Sequence, residues 1–496
     1  MYESILQFAQ KDIRELERTI GKILTGEAGS DELSAAIHER VLNLGKSLQV
    51  EIYEKLDEEI RTSISRKKNW NIERRNEPKE LLDVMGTIKY HRTGYENKHT
   101  GEYIYLLDHI LGIEKHQKIT LGSAANILEE AVTSSYSRGG RSASPEEAVS
   151  KQAVKELVHG TEIKIPVKES TFKKKQKYLH IVADEDHVAA QFWEEKGDLK
   201  RSVTGQKINT IQTKLICVYE DIINESGEKS KNPRYALTGK RYFSGVYAGS
   251  AENEKLWREV AEYIEATYDI DVLERIYIAG DGATWIKTGI EVLENSVFVL
   301  DKFHMMMYVN KSVAHLADNA QDAKELIWEA LNTANKKLLR QTYAIIQNIT
   351  ESENKREDVT GALKYFLNNW GGIRIRVKDA GGCWRCCAEG QVSHVLSDRL
   401  SSRPMGWSIL GCDQIAKLRA YKRNGGKIIE LLRYQKEEKA KENRILKQEE
   451  LIKELRKKQS GWDYAERLAA NIPGLELHSM KWLKDLLRKT VEEAAY

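Results

Sequence analysis

Tyr178-Leu-His-Ile-Val-Ala-Asp184 and Arg275-Ile-Tyr-Ile-Ala-Gly-Asp281-Gly are apolar runs that each stop at an aspartate. Short apolar runs rich in β-branched and aromatic residues, closed by an acid or a glycine, read as buried strands. Around them, His187–Trp193, Thr213–Glu220 and Tyr242–Tyr247 have strand character, and Ala251–Thr267 has helical spacing. Strand Arg275–Ala279, helix Ala283–Leu293 and strand Val297–Leu300 follow. Three early strands and then an alternation of helix and strand predict a mixed sheet with a parallel half.

That order matches a ribonuclease-H-like core, in which one acid sits on the first strand and another just after the fourth. Asp184 and Asp281 fall at those two places. A third acid, Glu389, opens Glu389-Gly-Gln-Val-Ser-His-Val-Leu-Ser-Asp-Arg-Leu, 108 residues beyond Asp281. Val392, Val395, Leu396 and Leu400 form a helical stripe, and Glu389 lies one turn ahead of Val392, which predicts an inward-facing carboxylate. Residues 305–380 have helical spacing, including one helix over Ala323–Ile349, so a helical insertion explains the distance to the third acid.

Convergent carboxylates supply the hard oxygen ligands that Mg²⁺ or Mn²⁺ prefers, and a pair of such ions suits phosphodiester chemistry. Each acid also has a plainer reading. Asp281 is placed to cap the helix that follows it. Asp184 starts Asp184-Glu-Asp-His, where a solvated acidic turn is the alternative and Asp186 shares its strand parity. Asp301-Lys-Phe-His304, after strand Val297–Leu300, offers a histidine for a phosphate or for ordering the site. Cys383, Cys386 and Cys387, with Cys412 and His394, have partial zinc spacing, but a second Cys-x-x-Cys is missing and buried free thiols are the preferred reading.

Residues 1–66 read as two helices, followed by the basic residues Arg66-Lys-Lys and Arg74-Arg and by Pro78. A β-hairpin is expected from Gly86 through Tyr95 and Tyr103 through Leu107, about the polar turn Glu96–Gly101. Leu121–Ser137 reads as a helix, and Pro145 as the first turn of another. Ser150 is the candidate N-cap of a helix that stops at Gly160. The pair has the form of a helix-turn-helix in which Ser150, Lys151, Gln152 and Lys155 would face DNA; an ordinary helical pair with solvated polar residues is the alternative. Lys173, Lys174 and Lys175 precede the Asp184 strand, where phosphate contact is an option beside plain solvation. Beyond residue 413 the chain is proline-free for decades of residues and densely charged, as in an exposed helix or short coiled coil.

Composition narrows the class. A length of 496 residues with 41% hydrophobic and 31% charged residues predicts a soluble multidomain protein. No run reaches the length of a membrane span, and Met1-Tyr-Glu-Ser-Ile-Leu-Gln-Phe is unlike a signal peptide, which predicts a cytoplasmic, nucleoid-associated protein. The odd count of five cysteines argues against a disulfide framework. The absence of Gly-x-x-x-x-Gly-Lys-Ser/Thr argues against an ATP-driven enzyme.

Together, Asp184, the Gly280-Asp-Gly-Ala-Thr-Trp block, Asp301-x-x-His304 and the Glu389 helix resemble Mutator-like DDE transposases. Ala388-Glu-Gly-Gln-Val-Ser-His-Val-Leu-Ser-Asp-Arg-Leu-Ser-Ser-Arg-Pro-Met-Gly-Trp-Ser resembles more narrowly the ISLre-type bacterial insertion-sequence transposases. Tyr103-x-Tyr-Leu-Leu-Asp-x-Ile-Leu-Gly and Ser150-Lys-Gln-Ala-Val extend that likeness nearly end to end. The resemblance implies an α+β multidomain chain with a ribonuclease-H-like catalytic core, an α-helical insertion and a mainly helical N-terminal DNA-binding region. It implies a metal triad of Asp184, Asp281 and Glu389, with Asp301 and His304 accessory, and Mg²⁺ or Mn²⁺ as cofactor. The expected partners are terminal inverted repeats, target DNA and further copies of the chain in a dimer or higher oligomer. The expected segments are 1–80 (helical), 81–165 (hairpin and helix-turn-helix), 170–304 (core), 305–382 (insertion), 383–412 (final catalytic helix) and 413–496 (charged helices). A same-fold nuclease without joining activity, or a domesticated DNA-binding protein, is the alternative.

Overall fold

The computed structural model describes the backbone of residues 2–161, 163, 172–191, 210–226, 233–379, 388–403 and 405–458, and their side chains except those of 444–458. The chain is α+β and divides into two compact units. One comprises Met1–Ala131, Tyr136–Val154 and Leu432–Tyr496; the other Val132–Ser135 and Lys155–Leu431. This division is coarser than the six segments read from sequence.

In the first unit, helices Glu3–Gln7 and Ile13–Leu24, joined by a π-helical turn, pack on the long helix Ser30–Thr62. That helix lies against an antiparallel sheet of β1 (Trp70–Asp83), β2 (Gly86–Asn97) and β3 (Tyr103–Ile104). Ile60, Leu81, Ile88, Tyr90, Tyr95 and Leu107 form its core. Asp57, buried on the helix, accepts hydrogen bonds from Thr93 N (3.0 Å) and Oγ1 (2.6 Å), which fixes helix to strand.

Three local expectations change here. The basic stretch after Asn69 is a strand, the main partner of β2; its half-exposed face carries the charges that hid it. Pro78 is tolerated because β1 is an edge strand. The strand expected through Leu107 ends at Ile104 and gives way to helix Leu106–Leu111. Finally, 145–149 is not helical. Glu146 and Glu147 reach out to Lys46 Nζ and Thr87 Oγ1 (2.6 Å each), and Val149 N donates to Gly140 O (2.9 Å), so the helix waits for Ser150. Ser150 Oγ then accepts from Ala153 N (3.1 Å) and caps helix Lys151–Gly160 as expected.

The second unit is built on β4 (Tyr178–Ala189), β5 (Thr210–Tyr219), β8 (Arg241–Gly245), β9 (Arg275–Gly280) and β10 (Ser296–Leu300), with a small hairpin of β6 (Asp221–Asn224) and β7 (Tyr235–Thr238) to the side. The sheet order is β10-β9-β4-β5-β8; the β4–β5 and β5–β8 pairs are antiparallel, β4–β9 and β9–β10 parallel. β4 runs unbroken through Asp184-Glu-Asp-His, paired with β5 to Ala189↔Thr210, so neither an acidic turn nor two separate strands is present.

Odd-numbered β4 residues Leu179, Ile181 and Ala183 face one core with Trp257, Val260 and Ile264 of helix Gly249–Thr267 and with Trp285 and Ile286 of helix Thr284–Val292. The same core takes in the helices after β10: Lys302–Val313, Ala320–Asn332, Lys336–Ile349, Glu353–Asn368 and Trp370–Lys378. The single helix expected over Ala323–Ile349 is two, because Ala334 has positive φ and Asn335 Oδ1 caps the second by accepting from Leu338 N (3.0 Å). Helix Ile409–Arg423 packs on β5 and β8. Among the described residues, no helix is long and apolar enough to cross a membrane.

Candidate active site

Strand register assembles the site. Parallel β4 and β9 pair Val182 with Ala279, and parallel β9 and β10 pair Gly280 with Leu300. Two residues beyond the first pair and one beyond the second, Asp184, within β4, comes level with Asp281 and Asp301, which stand just past the carboxyl ends of β9 and β10; adjacent strands neighbour each other at about 4.8 Å. The approach there is close. A Cβ on Gly280 would stand 2.9 Å from Ala183 O, and Asp301 N donates to Gly280 O at 2.9 Å. The open side of an α/β sheet beyond its carboxyl ends is where such folds place ligands.

Asp184 is buried, and its Oδ1 accepts from Glu185 N at 2.8 Å. Burial chiefly, and then the charges of Asp281 and Glu389, push its carboxyl up to about 6, against the pull of Glu185 N–H and His304. Asp281 is half-buried, and its Oδ1 accepts from Ala283 N at 2.8 Å, closing the turn before helix Thr284–Val292; the N-cap of that helix is Ala283, so Asp281 does not cap it. Asp301 is buried and caps helix Lys302–Val313 through Phe303 N and His304 N. Its Oδ2 also holds His304 Nδ1 at 2.9 Å. Burial disfavours the imidazolium, but Asp301, Asp184 and Asp281 outweigh it and raise the histidine above its ordinary value.

Glu389 sits on helix Ala388–Val392, which packs against β4 and β5. It is exposed, contrary to the inward placement expected from the stripe. Ala388 and Val392 take the buried positions of that turn, and a π-helical segment, Ser393–Ser397, follows before Leu400. The buried Arg419 donates to the carbonyls of His394 (3.0 Å) and Val395 within that segment and to Val132 O (2.9 Å). Glu389 still faces Asp184 closely enough for its charge to raise that carboxyl.

Asp186 shares the sheet face of Asp184 but lies toward the buried Cys412, whose thiol is pushed up chiefly by burial and also by Asp413 and Asp186. The charges that act on Asp184 are those of His304, Asp281 and Glu389.

Sequence reading missed the second layer of this site. Trp285 Nε1 donates to Glu185 Oε2 at 2.8 Å, tying the residue after Asp184 to the helix after Asp281. Lys214, buried and paired with Glu185 across β4–β5, lies with Nζ 5.1 Å from the Trp285 ring. From the helical insertion, Tyr365 Oη donates to Asp281 O at 2.7 Å while stacking on Tyr308 at 3.8 Å. Asn369 lies under Gly282, whose φ of +94° and lack of a side chain let the loop pass over it. Trp285 stood inside a quoted motif; Tyr365 and Asn369 carry no local signal.

Of the expected DNA-facing residues, Ser150, Lys151 and Gln152 are exposed and Lys155 is half-buried. Lys173 and Lys175 are exposed, whereas Lys174 Nζ is spent on Glu220 Oε1 at 2.6 Å. Cys383, Cys386 and Cys387 lie outside the described residues.

Among the described residues no group of three or more His, Cys, Asp or Glu stands close enough to hold a metal ion. In chemistry, however, the donor set fits a hard divalent cation. Asp184, Asp281 and Glu389 are oxygen donors; burial chiefly, and their mutual repulsion in lesser part, raises the buried Asp184, and a bound dication would offset both.

Residues 28–438 match the model of a family described as an uncharacterised protein family, UPF0236. Two UPF0236 proteins of Caldanaerobacter subterraneus subsp. tengcongensis are each 36% identical over 430 residues, covering 86% of this chain and 85% and 80% of their own lengths. Their names carry four and two locus labels. Another from that bacterium carries eleven, and is 36% identical over 430 residues, 86% of this chain and 85% of its own length.

Proposed function

The chain belongs to the UPF0236 protein family, and we propose that it is the transposase of a bacterial insertion sequence, cutting and joining DNA at the element's terminal inverted repeats. The observation that carries this reading is the register that brings Asp184, within β4, level with Asp281 and the Asp301–His304 pair at the ends of β9 and β10, beside the Glu389 helix packed on β4. The sheet order β10-β9-β4-β5-β8, in which β5 alone runs against the other four strands, supports a ribonuclease-H-like reading of this unit. Several loci sharing one protein name within one bacterium fit a gene that multiplies in its genome.

Asp184, Asp281 and Glu389 would hold Mg²⁺ or Mn²⁺, which when bound supplies Lewis-acid stabilisation of phosphodiester displacement. The other groups act on position and protons. Asp301 holds Nδ1 of His304 and favours the protonated ring, so Nε2–H serves as donor to a phosphate oxygen. Tyr365 holds the backbone carbonyl of Asp281, and Trp285 ties the helix after it to Glu185 of β4. Exposed Lys151, Lys173 and Lys175 supply phosphate contacts.

The test is purified protein with labelled DNA carrying the flanking inverted repeats, in Mg²⁺ or in EDTA. Metal-dependent nicks at the repeat ends with joined products, both lost in Asp281→Ala while end binding persists, are expected. Cleavage without joining would assign a nuclease instead. Normal strand transfer by Asp281→Ala would overturn the site.

A further inference from the structure

The helix that carries Glu389 is out of register with its own apolar stripe by one residue. On an unbroken α-helix Leu400, Leu396, Val392 and Glu389 fall on one side, at spacings of four, four and three. The structure buries Ala388 at the head of that stripe instead and leaves Glu389 exposed. The π-helical turn Ser393–Ser397 is the cause. A π-turn holds one more residue than an α-turn, so the helix before it lags by about 100° around the axis and about 1.5 Å along it. That lag is the step from Glu389 to Ala388.

Side chains hold the turn in this form. Asp398 N donates to Ser393 O, five residues back. The carbonyl that an α-helix would offer it, His394 O, is taken by Arg419 Nη2 at 3.0 Å and Arg423 Nη2 at 3.1 Å. One turn before, Tyr242 Oη donates to Gln391 Oε1 at 2.5 Å and pins the segment that bears Glu389. An α-turn would return His394 O to Asp398 N, while Arg419 keeps Val132 O (2.9 Å) and Asp398 Oδ2 (3.2 Å) as partners. It would also swing Gln391 away from Tyr242 and bring Glu389 to the buried place of Ala388, against β4 and β5.

A carboxylate entering that place beside the buried Asp184 is costly without a counter-charge. In the present register no group of three described His, Cys, Asp or Glu residues stands close enough to supply a cation site. A dication that Glu389 reaches only from the inward register therefore favours that register.

We propose that the turn Ser393–Ser397 is a one-residue register switch, which closes from π to α on metal binding and rotates Glu389 inward toward Asp184. The proposal rests on the reading of Asp184, Asp281 and Glu389 as a metal site, and states how that site is completed.

The test is Mn²⁺ binding to the full chain without DNA, followed by loss of the free-ion electron paramagnetic resonance signal. Deleting Ser393, which is exposed, removes the extra residue and fixes an α-helix with Ala388 inward and Glu389 outward. Its dissociation constant should rise roughly tenfold or more, the scale on which even an outer partner of a metal ligand matters. One alanine inserted after Gly390 in the deletion variant turns Glu389 inward again and should restore binding. Tyr242→Phe, which frees Gln391 without changing chain length, should bind more tightly than the parent. Circular dichroism establishes that each variant is folded; if the deletion unfolds the protein, Tyr242→Phe decides, and an unchanged affinity there overturns the switch. Asp184→Asn separates the two levels of the argument. If it leaves binding unchanged, the metal site fails and the switch with it. If it weakens binding while the Ser393 deletion does not, or while the inserted alanine restores nothing, the site stands and the switch is overturned.

Discussion

Replacing Trp285 with phenylalanine isolates the contact that ties the two aspartate-bearing segments together. Their backbone ladder ends at Val182↔Ala279, before either acid, and the Trp285 Nε1 to Glu185 Oε2 hydrogen bond of 2.8 Å continues the link beyond it. Trp285 is 6% exposed, and its partner is a carboxylate, so the lost bond is worth about 1.5–3 kcal/mol. A phenyl ring in the indole site leaves a small void that costs about 1 kcal/mol more. The total, about 2.5–4 kcal/mol, lowers the melting midpoint by roughly 5–12 °C for a unit of this size. Urea unfolding of the parent, Trp285→Phe, Glu185→Ala and the double variant measures the link directly. The double variant should be less destabilised than the sum by about 1.5–3 kcal/mol. Strand transfer should fall in both singles while end binding holds. Additivity within about 0.5 kcal/mol would refute the inference that this bond spaces the acids.

Asp184→Asn should stabilise the metal-free protein while abolishing activity. The folded carboxyl titrates near 6 against an ordinary 3.8, so the native state holds the proton more tightly. Stability is therefore full below pH 3.8 and falls as pH rises through 6, by about 3 kcal/mol at neutrality. Unfolding in EDTA should show that gain for the asparagine variant at pH 7 and none at pH 3.5, and added Mg²⁺ should raise the midpoint of the parent alone. Arg419→Met should cost about 3–5 kcal/mol in urea unfolding, because the carbonyls of Val132, His394 and Val395 lose a buried donor. Gly280→Ala should cost about 1–3 kcal/mol, since the new methyl meets Ala183 O at 2.9 Å. A variant as stable as the parent would show that β4 and β9 yield there.

The sequence by itself determined where β9 and β10 stop and which acids follow them, but not that β4 runs on past Asp184 to Ala189. Apolar runs of period two and an acid at the boundary are local signals, and the strands at Arg275–Gly280 and Ser296–Leu300 differ from the reading by one residue or none at each end. Asp301 and His304 were legible as a pair for the same reason, being three residues apart at a helix start. Tertiary structure alone decided the order of the sheet, and with it that Asp184, Asp281 and Asp301 lie level. It decided that Glu389 faces solvent, because a stripe marks only an average direction and the neighbours Ala388 and Val392 fill the buried positions of that turn. It made β1 a strand despite its charges, since the pairing residues of β2 supply bonds that no local propensity encodes. The supports of the site, Glu185–Trp285 at a separation of 100 residues and Tyr365–Asp281 at 84, depend on two distant segments arriving together. A one-dimensional pattern records which residues prefer the interior; which partner meets each of them there is fixed only when the chain closes.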